Sequence, residues 1–109
     1  MKKIIFLLIL CLGLCGCESK NELEEILTEN DYIIVDVRTK EEYEEGHLVD
    51  AINIPYDEID EDTNLDKNKT ILVYCRSGNR SNIAFNILEK LGFDVYDLGA
   101  FEEAEKALD

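Results

Sequence analysis

Residues 71–81 read ILVYCRSGNRS: an apolar run ends in a cysteine, and a short polar loop follows. The β-branched and aromatic residues of the run predict a buried strand. After the loop, apolar residues recur at every third or fourth position across 83–91, which predicts an amphipathic helix. Two of the three arginines in the chain, Arg76 and Arg80, lie in the loop beside Cys75. The stretch therefore predicts a strand, a cation-rich loop and a helix in succession.

The same alternation of short apolar strands and amphipathic helices continues on both sides of this stretch. We predict strands at 32–35, 51–54, 71–74 and 95–96, and helices at 21–28, 41–45, 83–91 and 101–108. Thr39 and Glu42 would form a capping box at the start of the second helix. This order is typical of an α/β domain with a largely parallel sheet. Sites in such sheets form beyond the carboxyl ends of the strands, where 36–38 and 75–80 both fall.

The loop after Cys75 has the features of an anion-binding nucleophile site. The reactive thiolate form of a cysteine is favoured by nearby cations and by a helix N-terminus, and we expect both here. Gly78 would let the backbone curl so that successive N–H groups point inward, and the planar forks of Arg76 and Arg80 suit oxyanions. A sulfur-transfer site and a phosphate-binding nucleophile site both fit these residues. The alternative is that Cys75 is a small buried hydrophobe at the end of a strand.

The polar residues at the end of the first strand are candidate supporting residues. Asp36 would orient Arg80 from the neighbouring strand end, or would be a surface carboxylate that caps a helix. We expect Arg38 to pair with Glu42 or another nearby acid as part of the scaffold. The lone His47 is interpreted as structural, because one histidine does not make a metal site. No metal and no cofactor is expected.

Charge and cysteine content exclude several classes of function. The chain has 109 residues, which favours one domain, and a formal net charge of -14. Such an acidic balance argues against binding nucleic acid or anionic lipid through charge. No two cysteines have the Cys-x-x-Cys spacing of a dithiol redox site.

The first seventeen residues, MKKIIFLLILCLGLCGC, have the pattern of a secretory signal peptide, two lysines followed by an apolar stretch. That stretch is shorter than the roughly 20 residues of a bilayer span. Its end, Leu14-Cys15-Gly16-Cys17, resembles the lipobox of bacterial lipoproteins, which implies cleavage before a lipidated Cys17. We therefore expect a signal peptide at 1–16, a lipidated cysteine with a short tether at 17–20, and one domain at 21–109. An uncleaved N-terminal anchor is the alternative.

This processing would place the protein outside the cytoplasm, held on a bacterial membrane by acyl chains. Of the four cysteines, Cys11 and Cys15 would leave with the signal peptide and Cys17 would be acylated. Cys75 would then be the only free thiol, and no internal disulfide could form.

Three ordered motifs resemble those of single-domain rhodaneses. The first motif, Cys75-Arg76-Ser77-Gly78-Asn79-Arg80-Ser81, resembles their active loop. The second, Asp36-Val37-Arg38 followed by Glu42-Tyr43, resembles their D-V-R…E-(F/Y) segment. The third, GHLVDAINIP at 46–55, is similar to their G-H-I-x-G-A-x-N-I-P segment. The resemblance covers about residues 21–103. It implies a small parallel β-sheet flanked by helices on both faces.

The resemblance also implies a sulfurtransferase. Cys75 would take a sulfane sulfur from a donor such as thiosulfate as a persulfide, and would pass it to a thiol or to cyanide. The loop would bind the substrate through Arg76, Ser77, Gly78, Asn79 and Arg80, with Asp36 and Arg38 in support. We expect a monomer that meets these small sulfur compounds, binds no nucleic acid and contacts the membrane only through its lipid anchor.

Two alternative functions stay open. Rhodanese-related phosphatases and arsenate reductases have five residues between the cysteine and the arginine, whereas four separate Cys75 from Arg80, which favours sulfur over phosphate. A non-catalytic rhodanese-like module that senses redox state or binds a partner is the other alternative.

The C-terminal region departs from the pattern of many rhodaneses. Ala100 and Ala104 stand where a glycine and a tryptophan are common in the family. We therefore expect the last helix to pack less tightly.

Overall fold

The computed structural model describes residues 15–29 and 31–109, with side chains for 22–29 and 31–109. The chain divides into two compact units, 1–30 and 31–109. Residues 1–14, which contain most of the expected signal peptide, and the side chain of Cys17 lie outside the described residues. Cleavage, lipidation and the domain boundary at residue 21 therefore stay predictions.

In the first unit the structure describes a helix, α1 (Cys15–Glu29). It contains the helix predicted at 21–28 but begins earlier, so that 18–20 are helical where we expected a polar tether. Glutamate and lysine are strong helix formers, which explains how Glu18 and Lys20 continue the helix toward the N-terminus. Within 15–29 and 31–109, no helix has both the length and the apolar composition of a membrane span.

The second unit is built on a four-stranded parallel sheet in the order β2-β1-β3-β4. The strands are β1 (Tyr32–Asp36), β2 (Ile52–Asn53), β3 (Thr70–Cys75) and β4 (Asp94–Ala100). All four predicted strands are confirmed, although β2 is shorter and β4 longer than predicted. Residues 71–75 of the inner strand β3 have no exposed surface. This explains the unbroken apolar run, because a parallel strand is covered on both faces.

Three helices and a short 3-10 turn complete the second unit. They are α2 (Lys40–Glu45), the turn Tyr56–Glu58, α3 (Asn79–Lys90) and α4 (Phe101–Leu108). The helices predicted in this part of the chain are confirmed.

Helices cover both faces of the sheet. Successive residues of a strand point to opposite sides, so neighbouring residues of β3 contact different helices. On one face Val73 and Cys75 belong to a buried cluster with Leu88 of α3. On the other face the ring of Tyr74 meets that of Phe101 in α4 edge-on, with 5.6 Å between the centroids. The expected α/β fold, a small parallel sheet with helices on both faces, is confirmed.

The two alanines near the C-terminus lie in different environments. Ala104 of α4 has no exposed surface, and the looser packing expected of this helix stays a prediction. Ala100 has an extended backbone, with φ -74 and ψ 155, which a side chain tolerates. The preceding Gly99 has φ 88, and this is the position where the left-handed backbone favours glycine.

Candidate active site

The candidate nucleophile, Cys75, ends the inner strand β3 and has no exposed surface. Its Sγ accepts a hydrogen bond at 2.9 Å from the backbone N–H of Gly78. Gly78 has φ 101, a left-handed conformation that turns the loop back toward the cysteine. Burial alone also fits the alternative of a buried hydrophobe. A main-chain N–H directed at Sγ is a feature that packing does not require.

Helix α3 begins at Asn79, directly after this curl. The carbonyl of Gly78 accepts a hydrogen bond from the Ser81 hydroxyl at 3.1 Å and another from the Asn82 N–H at 3.3 Å. These bonds tie the loop to the first turn of the helix. The positive end of the helix dipole therefore lies at the loop that contacts Sγ, where it stabilises negative charge on sulfur.

Arg80 is held by a carboxylate of another helix. Its Nη1 lies 2.8 Å from Oε1 of Glu42 and its Nη2 lies 3.0 Å from Oε2, so the contact is bidentate. The hydrogen bonds from Arg80 lower the pKa of Glu42 to about 2, and the same bonds raise the pKa of Arg80. The prediction that Asp36 orients Arg80 is wrong, because Glu42 takes that place.

Glu42 owes its position to the start of α2. Thr39 caps this helix, and its Oγ1 accepts the N–H of Glu42 at 3.1 Å. In return Oε1 of Glu42 accepts the N–H of Thr39 at 3.0 Å. The predicted capping box is confirmed, and it fixes the carboxylate that binds Arg80. Glu42 was not among the predicted site residues. Only the E-(F/Y) motif pointed to Glu42, because the sequence does not reveal that two residues 38 positions apart are in contact.

Asp36 and Arg38 form a buried ion pair next to the loop residues. Nε of Arg38 donates to both carboxylate oxygens, at 2.9 and 3.0 Å, and Nη2 donates to Oδ2 at 2.6 Å. The Tyr74 hydroxyl donates to Oδ2 of Asp36 at 2.8 Å and accepts the N–H of Leu48 at 3.0 Å. The bond to Asp36 raises the pKa of Arg38, and burial raises that of Tyr74. The prediction that Arg38 pairs with a nearby acid is confirmed, and the acid is Asp36.

The remaining loop residues face solvent. The side chain of Arg76 is 73% exposed, and its Nη1 lies 4.0 Å from Oε2 of Glu42. Ser77 and Asn79 are exposed as well. Arg76 is therefore the loop arginine best placed to meet an incoming anion, whereas the guanidinium of Arg80 is already paired.

A cleft of about 480 Å³ opens beside the loop. Its lining includes Arg38, Glu42, Glu45, Arg76, Phe101 and Glu102. The neighbouring lining residue Ala100 pairs with Cys75 between β3 and β4. The cleft thus lies next to the candidate nucleophile, although Cys75 itself has no exposed surface.

The lone histidine has a packing role in this structure. The His47 ring stacks on Tyr43 with 3.9 Å between the centroids, and Nδ1 lies 2.9 Å from the carbonyl of Leu48. These contacts support its interpretation as structural. Among residues 22–29 and 31–109, no three His, Cys, Asp or Glu side chains are grouped so that they could hold a metal ion.

The chain is similar to known proteins in both sequence and fold. A family model described as a rhodanese-like domain matches residues 19–107. An alignment 80 positions long is 44% identical to a probable molybdopterin-synthase adenylyltransferase of Porphyra purpurea, and it covers 68% of this chain and 21% of that protein. An alignment 62 positions long is 42% identical to a thiosulfate sulfurtransferase of Escherichia coli K12, and it covers 54% of this chain and 60% of that protein. The chain thus spans about a fifth of the first relative and three fifths of the second.

A solved structure shows the same fold. A rhodanese from E. coli, solved with anions, superimposes with a TM-score of 0.60 at 35% sequence identity. The superposition covers 66% of this chain and 89% of that chain.

Proposed function

Because the chain belongs to the rhodanese-like domain family, we propose that it is a sulfurtransferase in which Cys75 carries the transferred sulfur as a persulfide. The similarity to a thiosulfate sulfurtransferase supports a thiosulfate-like donor. The acceptor would be a thiol or cyanide. The loop residues 76–80 would surround the transferred sulfur, with Arg76 meeting the anionic end of the donor.

The proposed reaction has two half-reactions. In the first, the thiolate Sγ of Cys75 forms a bond to the outer sulfur of thiosulfate, and sulfite leaves with the electron pair of the broken S–S bond. In the second, an acceptor thiolate attacks the outer sulfur of the persulfide, and Cys75 leaves as a thiolate. Each half-reaction conserves charge and needs no external oxidant or reductant. With cyanide as acceptor the product is thiocyanate.

One observation carries the proposal: the hydrogen bond of 2.9 Å from the Gly78 N–H to Sγ of Cys75, at the start of α3. Negative charge lies on sulfur before the first half-reaction, between the two and after the second. A main-chain donor at the N-terminus of a helix stabilises such charge without needing to reorganise. The spacing of four residues between Cys75 and Arg80 further favours a site for sulfur over one for phosphate.

Access to the nucleophile requires movement. Cys75 has no exposed surface, and Phe101, the first residue of α4, donates its N–H to the carbonyl of the loop residue Arg76 at 3.3 Å. The donor would reach Sγ from the cleft when this part of the loop opens. The same cover would protect a thiolate or a persulfide from solvent oxidants.

We further propose that the mature protein is anchored outside the cytoplasm through an acylated Cys17, as the lipobox-like sequence indicates. The substitution Cys17→Ser should release the protein from the membrane fraction. Continued attachment would favour an uncleaved N-terminal anchor.

Intact-protein mass spectrometry tests the sulfur-transfer proposal directly. Treatment with thiosulfate should add the mass of one sulfur atom to the wild type, and cyanide should remove it as thiocyanate. Cys75→Ser, which keeps the size of the side chain, should show neither change. If the wild type neither gains the sulfur nor forms thiocyanate, the enzyme proposal is wrong. Turnover of an aryl phosphate that is lost in Cys75→Ser would instead favour a phosphatase.

A further inference from the structure

Two of the three arginines around the candidate site are already neutralised. Asp36 binds Arg38 at 2.6 Å, and Glu42 binds Arg80 at 2.8 Å. In each contact the carboxylate accepts hydrogen bonds from two nitrogens along one edge of the guanidinium, as in strong bidentate ion pairs. Arg76 therefore remains as the cation of the site that an incoming anion can meet.

Two further acids face the same cleft. Glu45 lies at the end of α2 and Glu102 at the start of α4, and both are exposed lining residues. Apart from the two ion pairs, the charged residues that line the cleft are Arg76, Glu45 and Glu102. The cleft is thus weakly negative, and it lies on a chain with a formal net charge of -14. The cleft therefore has the same sign of charge as the whole protein.

We propose that Glu45 and Glu102 make this cleft select acceptor thiols by charge, favouring uncharged or cationic thiols over anionic ones. The inference rests on the proposed sulfur transfer and names the chemical class of its acceptor. The acceptor sulfur must be a thiolate to attack the persulfide, so selection acts on the charge of the rest of the molecule. An ammonium group near the thiol would be attracted to the two glutamates, and a carboxylate would be repelled.

Three small thiols of similar size but different charge test whether the cleft selects acceptors by charge. Cysteamine carries an ammonium group, 2-mercaptoethanol is uncharged, and 3-mercaptopropionate carries a carboxylate. The experiment loads Cys75 with sulfur from thiosulfate, removes the excess, and measures the second-order rate constant for loss of the persulfide to each thiol. Comparing variant with wild type for the same thiol cancels differences in thiol reactivity.

The double variant Glu45→Gln/Glu102→Gln should react more slowly with cysteamine and faster with 3-mercaptopropionate. Each charge removed should change the rate constant by roughly threefold, the size of a screened interaction between unit charges several ångströms apart. Sodium chloride at about 1 M, where the screening length is about 3 Å, should abolish both changes. Glu41→Gln/Glu105→Gln is the matched control, because it also removes one charge from α2 and one from α4, at exposed positions outside the cleft lining.

The outcomes distinguish this inference from the function on which it rests. Equal changes for all three thiols, or equal effects of the control double variant Glu41→Gln/Glu105→Gln and of Glu45→Gln/Glu102→Gln, would overturn selection by the cleft while leaving sulfur transfer in place. If no donor ever loads Cys75, sulfur transfer itself is wrong and the inference falls with it. Opposite changes for cysteamine and 3-mercaptopropionate that vanish in salt would confirm it.

Discussion

The ion pair between Glu42 and Arg80 should make the stability of the domain depend on pH in acid. Folding lowers the pKa of Glu42 from 4.5 to about 2, chiefly through the hydrogen bonds from Arg80. A carboxyl group whose pKa falls on folding stabilises the fold fully above its unfolded-state pKa. That contribution is lost as the pH drops from there through the folded-state pKa. The free energy of unfolding of the wild type should therefore fall more steeply than that of Glu42→Gln below about pH 5.

The structure sets the size of this effect. One pKa unit corresponds to about 1.4 kcal/mol, so the lowering from 4.5 to about 2 gives an upper bound of about 3 kcal/mol. The side chains of Arg80 and Glu42 are 25% and 20% exposed, and solvent therefore screens part of their interaction. We expect Glu42→Gln to lose about 1–2 kcal/mol near neutral pH. For a domain of this size, each kcal/mol lowers Tm by about 4–8 °C.

The assay is urea unfolding followed by circular dichroism at several pH values from neutral to acid. It gives the free energy of unfolding of the wild type and of Glu42→Gln as a function of pH, and the difference between them is compared with the prediction. Glu41→Gln removes an exposed carboxylate from the first turn of the same helix and is the matched control. Because the other carboxyl groups titrate in both proteins, the difference isolates Glu42. A difference that stays constant from neutral pH to about pH 2, or that Glu41→Gln reproduces, would refute the reasoning.

Three further predictions concern the loop and the buried network. Arg80→Lys keeps the charge but not the bidentate contact, and should lower kcat/KM for thiosulfate about tenfold, as expected for one lost charge-assisted hydrogen bond; unchanged steady-state kinetics would show that the geometry of this pair is irrelevant to catalysis. Gly78→Ala should lower the free energy of unfolding by about 1–2 kcal/mol, because alanine is strained at φ 101. Denaturant midpoints equal to those of the wild type would contradict that strain. Tyr74→Phe leaves the N–H of Leu48 without its buried partner and should cost about 1–3 kcal/mol in thermal unfolding; a Tm within error of the wild type would mean that the bond contributes nothing.

The parts of the fold that the sequence predicted well are those with local causes. The strand and helix on either side of Cys75 follow from hydrophobic periodicity, and the capping box at Thr39 follows from residues three positions apart. Gly78 was singled out because only a permissive backbone makes such a curl, and its positive φ confirms the reason. Local patterns thus predicted the strand that ends at Cys75, the candidate nucleophile, and the curl of the loop that follows it.

The parts that the sequence did not predict depend on register and on long-range contacts. Asp36 pairs with Tyr74 in the register of β1 and β3, so both side chains lie on the face opposite that of Cys75. A shift of one residue would have placed Asp36 on the other face, and no local pattern decides between the two. The partnership of Glu42 with Arg80 likewise depends on how α2 packs beside the loop. For this reason the sequence did not identify which acid binds which arginine: Asp36 pairs with Arg38, and Glu42 pairs with Arg80.

The outer strands of the sheet bear on aggregation. In residues 31–109 the sheet ends on one side with β2, which is only two residues long. On the other side it ends with β4, which carries Asp94 and Asp97. Short strands and acidic side chains are poor templates for the edge-to-edge pairing that leads to fibrils. The folded domain should therefore stay dispersed at high concentration, and crowding of many copies on one surface should not drive strand exchange between them.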